Sequence, residues 1–400
     1  MQKLTVTSAL ALAFTIGVGC GQGSPSGNTP NGLGEKDGPG ATGGTTSASN
    51  GGNAATTGSG GASGAGNVGG GLPDVAPGPV LIDDQQVLAV KRTANQGEVD
   101  QANAALGCAQ SPDVVAFAKQ MIADHTAALA KIDALIAKLG SKDSPENAAL
   151  MNVGKQQLTL IKTDNNSGAC DQTYMKTQVM AHSTVLALID EVLLPSAQAP
   201  EVKAEVMAEK PVVQMHHDEA VKIAIALGID LTDVEGMTKR CDSAKVTEGQ
   251  VVQWLVVSNQ GEVSDGQKVL EKAIIPEARA FAQRMVTDHG AALSRVQALA
   301  NRLGITPEPS QDSKEKKLEG MVTDEILDML APPMFDMTYV DLGLLDHIGD
   351  LDAIDEKLLP STCTPDLKAE VQAERLAVAI HEAIAHTIEP TVRAQANPQK

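Results

Sequence analysis

Asn95-Gln96-Gly97-Glu98-Val99 is the segment of this 400-residue chain that decides the fold, because it occurs twice. It leads into a helical pattern that reaches Asp124-His125, and the two segments return as Asn259-Gln260-Gly261-Glu262-Val263 and Asp288-His289. The offset between the occurrences is constant at 164 residues (259 − 95 and 289 − 125). A period of this length is the size of a domain and too long for a solenoid repeat. The sequence therefore predicts a duplicated domain.

The histidines follow the same duplication. The chain has eight His, and six of them occupy matching positions: His125 and His289, His182 and His347, His216 and His381. Much of the intervening sequence differs between the copies, so each copy serves as a control on the other. The retained histidines therefore belong either to the fold or to a site.

Helical spacing dominates both copies. In the second helix of the first copy, apolar residues recur three and four positions apart, which is the pattern of one packed helix face. Pro112 lies near the start of this helix and Gly140 just past its end, as helix punctuation requires. Pro276 and Gly304 occupy the same places in the second copy. No segment shows the two-residue alternation of a β-strand.

We therefore predict an all-α fold with two tandem four-helix bundles, at residues 81–237 and 238–395. A crossover of about 30 residues joins the second and third helices of each bundle. Residues 20–80 are rich in Gly and Ser and poor in large apolar residues, which predicts a disordered tether. Residues 1–19 carry a short apolar run after Lys3 and have the pattern of a signal peptide.

The signal sequence ends in Gly17-Val18-Gly19-Cys20, which resembles the lipobox of bacterial lipoproteins. That resemblance implies lipidation of Cys20 and a membrane partner through the N-terminal anchor. Gly21 is not the Asp that commonly retains lipoproteins at the inner membrane. We expect an outer-membrane lipoprotein that faces the periplasm or the cell surface.

The net charge of the chain indicates which classes of partner it can bind. The chain carries a net charge of −19 and no Lys/Arg cluster. This argues against nucleic acid as a partner and favours cations. No phosphate loop, nucleophile elbow, CxxC motif or nucleotide fingerprint is present. The sequence gives enzyme activity little positive support, and no protein partner can be assigned.

Four polar side chains of each copy are expected at the same level along the axis of the bundle. Counting from the end of the bundle where the first two helices join, each lies roughly 14–20 Å below it, at a rise of 1.5 Å per residue. One carboxylate and three imidazoles, one from each helix, would meet there, as in metal sites inside helical bundles. The predicted ligands are Glu98, His125, His182 and His216, and Glu262, His289, His347 and His381.

A buried hydrogen-bond network is the alternative for these histidines. Asp124 and Asp288, next to the second-helix histidines, would orient a neighbouring ring or face solvent. Glu209 and Glu374 lie about 10 Å from the fourth-helix histidines along the helix, so we expect them to meet a Lys or Arg. The two histidines that have no counterpart in the other copy, His217 and His386, are predicted to be solvent-exposed.

Gly97 and Gly261 lie inside the first helix, where Gly costs about 1 kcal/mol relative to Ala. Their presence in both copies indicates that another backbone or a ligand approaches closely there.

The cysteines predict two disulfide bonds. Four Cys remain after Cys20, and an even set suits an oxidising compartment. In the predicted topology Cys108 and Cys170 lie at one end of the first bundle, and Cys241 and Cys363 at one end of the second. We expect the pairs Cys108–Cys170 and Cys241–Cys363, each within one bundle.

The repeated motifs resemble a bacterial family known as domain of unknown function 4142, ferritin-like helical proteins often called predicted outer-membrane proteins. The resemblance rests on Gly-Glu-Val in the first helix, Phe-Ala and Asp-His in the second, Asp-x-x-Tyr followed by His in the third, and His in the fourth. It covers residues 83–228 and 247–390. It implies a ferritin-like bundle and export, and it brings no established activity.

The standard di-iron set of ferritin-like proteins is absent. The residues three positions before the second-helix and fourth-helix histidines are Ile122, Val286, Val213 and Val378, where Glu would be required. One Glu and three His would instead suit a single Zn, Fe or Cu ion per bundle. The sequence therefore indicates a cell-envelope lipoprotein with two metal-binding bundles. The alternatives are a structural or interaction lipoprotein and a metal-dependent redox enzyme.

Overall fold

The computed structural model describes residues 72–76, 78–164, 168–242 and 244–398. These residues form helices and connecting loops and contain no β-strand, so the all-α prediction is confirmed. The predicted signal peptide, Cys20 and most of the predicted tether lie outside the described residues.

The first copy contains five main helices within the described residues: α1 (Asp84–Leu106), α2 (Pro112–Leu139), α3 (Pro145–Asp164), α4 (Cys170–Ala187) and α5 (Pro200–Ala226). Helix α4 continues through a π-helical segment, Leu188–Leu193, into a last helical turn, Leu194–Ser196.

The second copy repeats this order: α6 (Glu248–Lys272), α7 (Pro276–Leu303), α8 (Gln311–Asp328), α9 (Met334–Ala353) and α10 (Pro365–Ala396). A π-helical segment, Ile354–Leu358, and a 3-10 turn, Leu359–Ser361, again follow α9. The predicted domain boundary at residue 237 falls in the loop between α5 and α6.

Local sequence explains where these helices begin and end. Asp83 and Thr247 each accept a backbone N–H of the first turn of α1 and α6, and the Gln three residues later bonds back to the cap. The expected proline starts and glycine stops of α2 and α7 are present. Gly140 and Gly304 follow these helices with positive φ angles of 87° and 68°, a conformation that glycine adopts without a Cβ penalty.

Each bundle buries an aliphatic core. In the first copy α1 packs along α2 and α4 along α5, and in the second copy α6 pairs with α7 and α9 with α10. Disulfide bonds join Cys108 to Cys170 and Cys241 to Cys363, with Cα atoms 6.0 and 5.7 Å apart. Both predicted pairings are therefore present, and each bond lies within one copy.

The crossovers differ from expectation because each contains a helix, α3 or α8. Helix α3 packs on α1 of its own copy and on α9 of the other, while α8 packs on α6 and also contacts α4. Asn152 of α3 donates to Thr338 Oγ1 (2.9 Å) and Asp341 Oδ2 (2.8 Å) in α9, all three buried. Because polar side chains take part in this packing, α3 lacks the continuous apolar stripe that reveals a helix in sequence.

His217 and His386 lie in the contact between the copies, so the prediction of solvent exposure was wrong. His217 is only 7% exposed, and its Nε2 lies 3.0 Å from Ser183 Oγ and 3.3 Å from Glu315 Oε2 in α8. His386 Nδ1 lies 2.6 Å from Glu146 Oε1 in α3. A contact between two copies need not be repeated within each copy, so the internal duplication gave no sign of it.

One helix in the described part of the chain is long and apolar enough to cross a membrane, Cys170–Ser196. Most of its apolar window is buried, and it packs against α5 and carries His182 in the bundle core. Its hydropathy is accounted for by its place in the protein interior.

Candidate metal centres

Three helices of each copy bring one histidine each to a common point. His125 of α2, His182 of α4 and His216 of α5 are all buried, and their ring centroids lie 5.2 to 5.9 Å apart. One ligand atom from each ring lies within 4.8 Å of the other two. The structure therefore brings the predicted histidines of the first copy together.

The second copy has the same arrangement. His289 of α7, His347 of α9 and His381 of α10 are 0 to 1% exposed, with ring centroids 5.0 to 5.8 Å apart. Their ligand atoms also lie within 4.8 Å of one another. We call the two sets the first and the second triad.

In each ring of the first triad one nitrogen, here called the outer nitrogen, donates a hydrogen bond to an acceptor outside the triad. His125 Nδ1–H donates to Asn95 Oδ1 (2.8 Å), and His182 Nδ1–H donates to the backbone carbonyl of Gln178 (2.9 Å). His216 Nε2–H donates to Asp124 Oδ2 at 3.0 Å. Since a carbonyl or carboxylate oxygen only accepts, each ring carries its proton on this outer nitrogen.

The second triad repeats these bonds. His289 Nδ1 lies 3.0 Å from Asn259 Oδ1, and His347 Nδ1 lies 2.5 Å from the carbonyl of Gly343. His381 Nε2 bonds Asp288 Oδ2 at 3.0 Å. Asp124 and Asp288 therefore orient a ring, one of the two roles that the sequence left open for them.

The other nitrogen of each ring, here called the inner nitrogen, has no hydrogen-bond partner. Six buried ring nitrogens, one per histidine of the triads, have no hydrogen-bond partner: His125 Nε2, His182 Nε2, His216 Nδ1, His289 Nε2, His347 Nε2 and His381 Nδ1. A buried polar atom without a partner is costly. Three such lone pairs at one buried point are the donor set of a tri-histidine metal site.

Burial keeps these rings neutral. Desolvation lowers the pKa of His182 to about 4 and that of His347 to about 3. It also lowers the pKa of His125 and His289 well below 6.5, and repulsion from the neighbouring imidazoles acts in the same direction. At neutral pH the rings are therefore in the uncharged form that binds metals.

Glu98 and Glu262 are buried but are not members of the two groups of ligand atoms. Glu98 lines a cavity of about 40 Å³ that is enclosed by α1, α3 and α4 and by α8 and α9 of the second copy. Burial raises the pKa of Glu98 to about 7, and its Oε2 has no partner. Glu262 shares a hydrogen bond with Asp346, and burial raises its pKa well above 4.5. Their role as ligands stays a prediction, because the groups themselves consist of imidazole nitrogens.

Asn95 and Asn259 are the site residues that the sequence analysis missed. Each lies one turn before the predicted glutamate on the same helix and reaches the second-helix histidine of its copy. A signal was present, since Asn is the first residue of the repeated five-residue segment. Equal depth on the helices predicted the level of the site on α1 and α6, and Asn95 and Asn259 have a role at that level that the prediction did not include.

The two triads differ in a nearby carboxylate. Glu209 pairs with the buried Lys91 and accepts from Asn95 Nδ2 (2.7 Å), as expected for a Glu that meets a Lys. In the second copy Leu255 replaces Lys91 (255 − 164 = 91). Glu374 has its Oε1 3.8 Å from His289 Nδ1, and burial raises its pKa to about 7.

A third group of potential ligand atoms consists of Cys241, Glu248 and Cys363. The two cysteines are joined in a disulfide bond. Glu248 Oε1 accepts the backbone N–H groups of Cys363 (3.0 Å) and Thr364 (2.7 Å) at the start of α10. This group therefore holds a helix start in place.

Comparison with known families matches the chain twice to a family described as Domain of unknown function (DUF4142), over residues 72–223 and 236–388. Each matched range contains one complete triad. Comparisons with curated proteins and with solved structures gave no match.

Proposed function

The chain belongs to the DUF4142 family and carries two copies of its domain, and from that premise we propose that each copy binds one transition-metal ion through its three histidines. Two observations carry this proposal: each histidine of a triad has one buried ring nitrogen without a hydrogen-bond partner, and each ring places one nitrogen within 4.8 Å of a nitrogen of the other two rings.

The hydrogen bonds around the triads support the proposal. Metal-binding histidines usually donate their second N–H to a carboxylate or carbonyl, which fixes the tautomer and aims the free lone pair. Every ring of both triads has such a bond, to Asn, to a backbone carbonyl or to Asp. The lone pairs are thus prepared for an ion without rearrangement of the rings.

Imidazole nitrogen suits Zn²⁺, Cu²⁺ and Fe²⁺. An ion held tetrahedrally by three imidazoles takes its fourth ligand from another group. Glu98 and Glu262 stay candidates for that position, as does a water molecule. When bound, the ion supplies Lewis acidity or redox capacity. The residues of this chain bind the ion and hold the three imidazoles in position around it.

A structural lipoprotein whose histidines form buried hydrogen-bond networks is the second candidate. The outer hydrogen bonds of the triads support it, since each helix bearing a triad histidine is linked by them to another helix or to its own backbone. A complete network would, however, also satisfy the inner nitrogens, and in the described residues these have no partner.

We also propose that the protein is exported and anchored in the outer membrane through a lipidated Cys20, facing the periplasm or the cell surface. The signal-like N-terminus supports export, and the two disulfide bonds suit an oxidising compartment. Mass spectrometry of the mature N-terminus tests this; an unmodified N-terminus other than Cys20 would refute the anchor.

Elemental analysis of protein purified without a His tag tests the metal sites. We expect one transition-metal ion per copy, and the variant His125→Ala/His289→Ala should lose both, because one of three donors is missing from each triad. His386→Ala is the matched control, since it removes a histidine outside the triads and should keep the metal. Unchanged metal content in the double variant would leave the hydrogen-bond network as the better explanation.

A further inference from the structure

A cavity of about 310 Å³ lies between α2 and α5 of the first copy, and two histidines of the first triad line it. His125 and His216 are buried, whereas other lining residues such as Lys131, Val212 and Met215 are exposed. The cavity therefore runs from solvent to two of the imidazoles. Because one water molecule occupies about 30 Å³ of liquid, a hydrated metal ion fits into it.

Few charged contacts restrain this opening in the first copy. Lys131 of α2 and Glu205 of α5 both line it, and no ion pair joins them in the part of the chain that the structure describes. Asp124, which holds the His216 ring, has a side chain that is 41% exposed. The residue four positions before it is the uncharged Gln120.

Arginines occupy two matching positions in the second copy. Arg295 stands for Lys131 (295 − 164 = 131), and its Nε lies 2.9 Å from Oε1 of Glu370, the counterpart of Glu205 (370 − 165 = 205). This ion pair links α7 to α10 where the first copy has its opening. Arginine forms such links more readily than lysine, because its guanidinium is a rigid fork of donors.

The second arginine holds the carboxylate that orients the third histidine. Arg284 stands for Gln120 (284 − 164 = 120) and forms an ion pair with Asp288. Asp288 also bonds His381, and its side chain is 29% exposed, less than that of Asp124. Movement of the His381 ring away from the triad therefore requires two contacts of Asp288 to change.

From these contacts we infer that the two triads exchange metal at different rates: the first is an exchangeable site, and the second retains its ion. The inference rests on the proposed function. The first copy would take up and release metal through the cavity between α2 and α5. The second would keep its ion behind the pairs Arg295–Glu370 and Arg284–Asp288.

Release of Zn²⁺ to an excess of a chromogenic chelator measures the difference. His289→Ala leaves only the first triad and His125→Ala only the second. We expect the first triad to release Zn²⁺ about tenfold faster, since each of two exposed ion pairs contributes roughly a threefold factor. The unmodified protein should show two phases of equal amplitude, a readout that does not depend on how either variant folds.

Exchange of the arginines between the copies tests the cause. In the His125→Ala background, Arg284→Gln with Arg295→Lys should accelerate release towards the rate of the first triad. In the His289→Ala background, Gln120→Arg with Lys131→Arg should slow it. Arg302→Lys is the control, because Arg302 also lies on α7 and pairs with Asp366 of α10 (2.7 Å) but does not match a residue of the cavity.

The outcomes separate the two proposals. The inference would be overturned if two bound ions left in a single phase, or if the arginine exchange left both release rates unchanged. Either result would still be consistent with the proposed metal sites. Failure of the unmodified protein to bind Zn²⁺, Cu²⁺ or Fe²⁺ would refute the metal sites and the difference in exchange together.

Discussion

At the scale of single residues, the triads combine three kinds of acceptor around three rings. An amide oxygen, a backbone carbonyl and a carboxylate each fix one imidazole, and the same three recur in both copies. The amide of Asn95 can accept from His125 because its NH₂ group is already engaged by the Lys91 carbonyl (2.8 Å) and Glu209 (2.7 Å). The orientation of one ring therefore depends on a chain of contacts that reaches α5.

Asn95→Ala should weaken metal binding at the first triad by about 10- to 100-fold, the usual effect of losing a partner of a metal-binding histidine. His125 would lose the acceptor that fixes its tautomer. Titration with Zn²⁺ in the His289→Ala background isolates this triad. Asn103→Ala is the control, because Asn103 lies on the same helix and donates only to its own backbone (2.7 Å to the Val99 carbonyl). Equal affinities of the two variants would contradict this role for Asn95.

The triads themselves could be predicted because residues at equal depth on neighbouring helices must meet. Depth alone, however, does not fix the direction of a side chain on its helix. Glu98 lies at the right level, yet it faces the cavity beside α3, while Asn95 one turn earlier faces His125. The sequence pattern does not reveal α3, so the surroundings of Glu98 could not be predicted.

At the scale of helices, each copy has five main helices in the described residues where four were predicted. The additional helices, α3 and α8, were not predicted because each packs against helices of both copies. A helix packed on one side against its own bundle and on the other against a polar contact has no single apolar stripe. Helix α2, which packs within one bundle, showed its stripe clearly. Periodicity therefore predicts helices that face one core and misses helices that lie between two.

The helical glycines provide a second test at this scale. The expectation that another backbone approaches Gly97 and Gly261 was wrong, since outside the adjoining helix backbone no atom lies within 4 Å of where their Cβ would be. The approach of a ligand stays a prediction. Gly266 of the same helix α6 is, in contrast, a crowded position. A Cβ there would lie 2.7 Å from Val286 Cγ2 and 3.0 Å from the carbonyl oxygen of Ala282.

Gly261→Ala should raise the free energy of unfolding by up to about 1 kcal/mol, because alanine loses less backbone freedom than glycine in a helix. Gly266→Ala should lower it by about 1 to 3 kcal/mol through overpacking. Denaturant unfolding of both variants measures the contrast. Gly261 and Glu262 line a cavity of about 40 Å³. Destabilisation by Gly261→Ala would show that this cavity needs its full volume, which is what a bound ligand or ordered water there requires.

At the scale of the whole molecule, the two copies form one compact unit, and buried acids such as Glu146 and Asp341 lie in the contact between them. Burial raises the pKa of Glu319 to about 8 and that of Asp341 to about 7. The duplication could be predicted because it is repeated in the sequence. The contact between the copies could not, because its residues differ: Glu382 of α10 matches His217 of α5 (382 − 165 = 217).

Glu382 makes that contact sensitive to pH. Burial and then repulsion from Glu146 and Glu191 raise its pKa from 4.5 to about 8, against the attraction of His386. Between pH 4.5 and 8 the folded protein therefore holds a proton that the unfolded chain has lost. By linkage, the stability contributed by this proton is present below pH 4.5 and is lost as the pH rises towards 8.

Glu382→Gln, which carries no charge at any pH, should remove this loss. Relative to the unmodified protein, the variant should gain unfolding free energy between pH 5 and pH 8, on the order of 3 kcal/mol at one unit of pKa per 1.36 kcal/mol. Denaturant unfolding at both pH values measures the gain. Glu235→Gln, at an exposed position, should leave the pH profile unchanged. Parallel profiles for Glu382→Gln and the unmodified protein would mean that Glu382 is ionised within the contact and that its neighbours, His386 foremost, already compensate its charge.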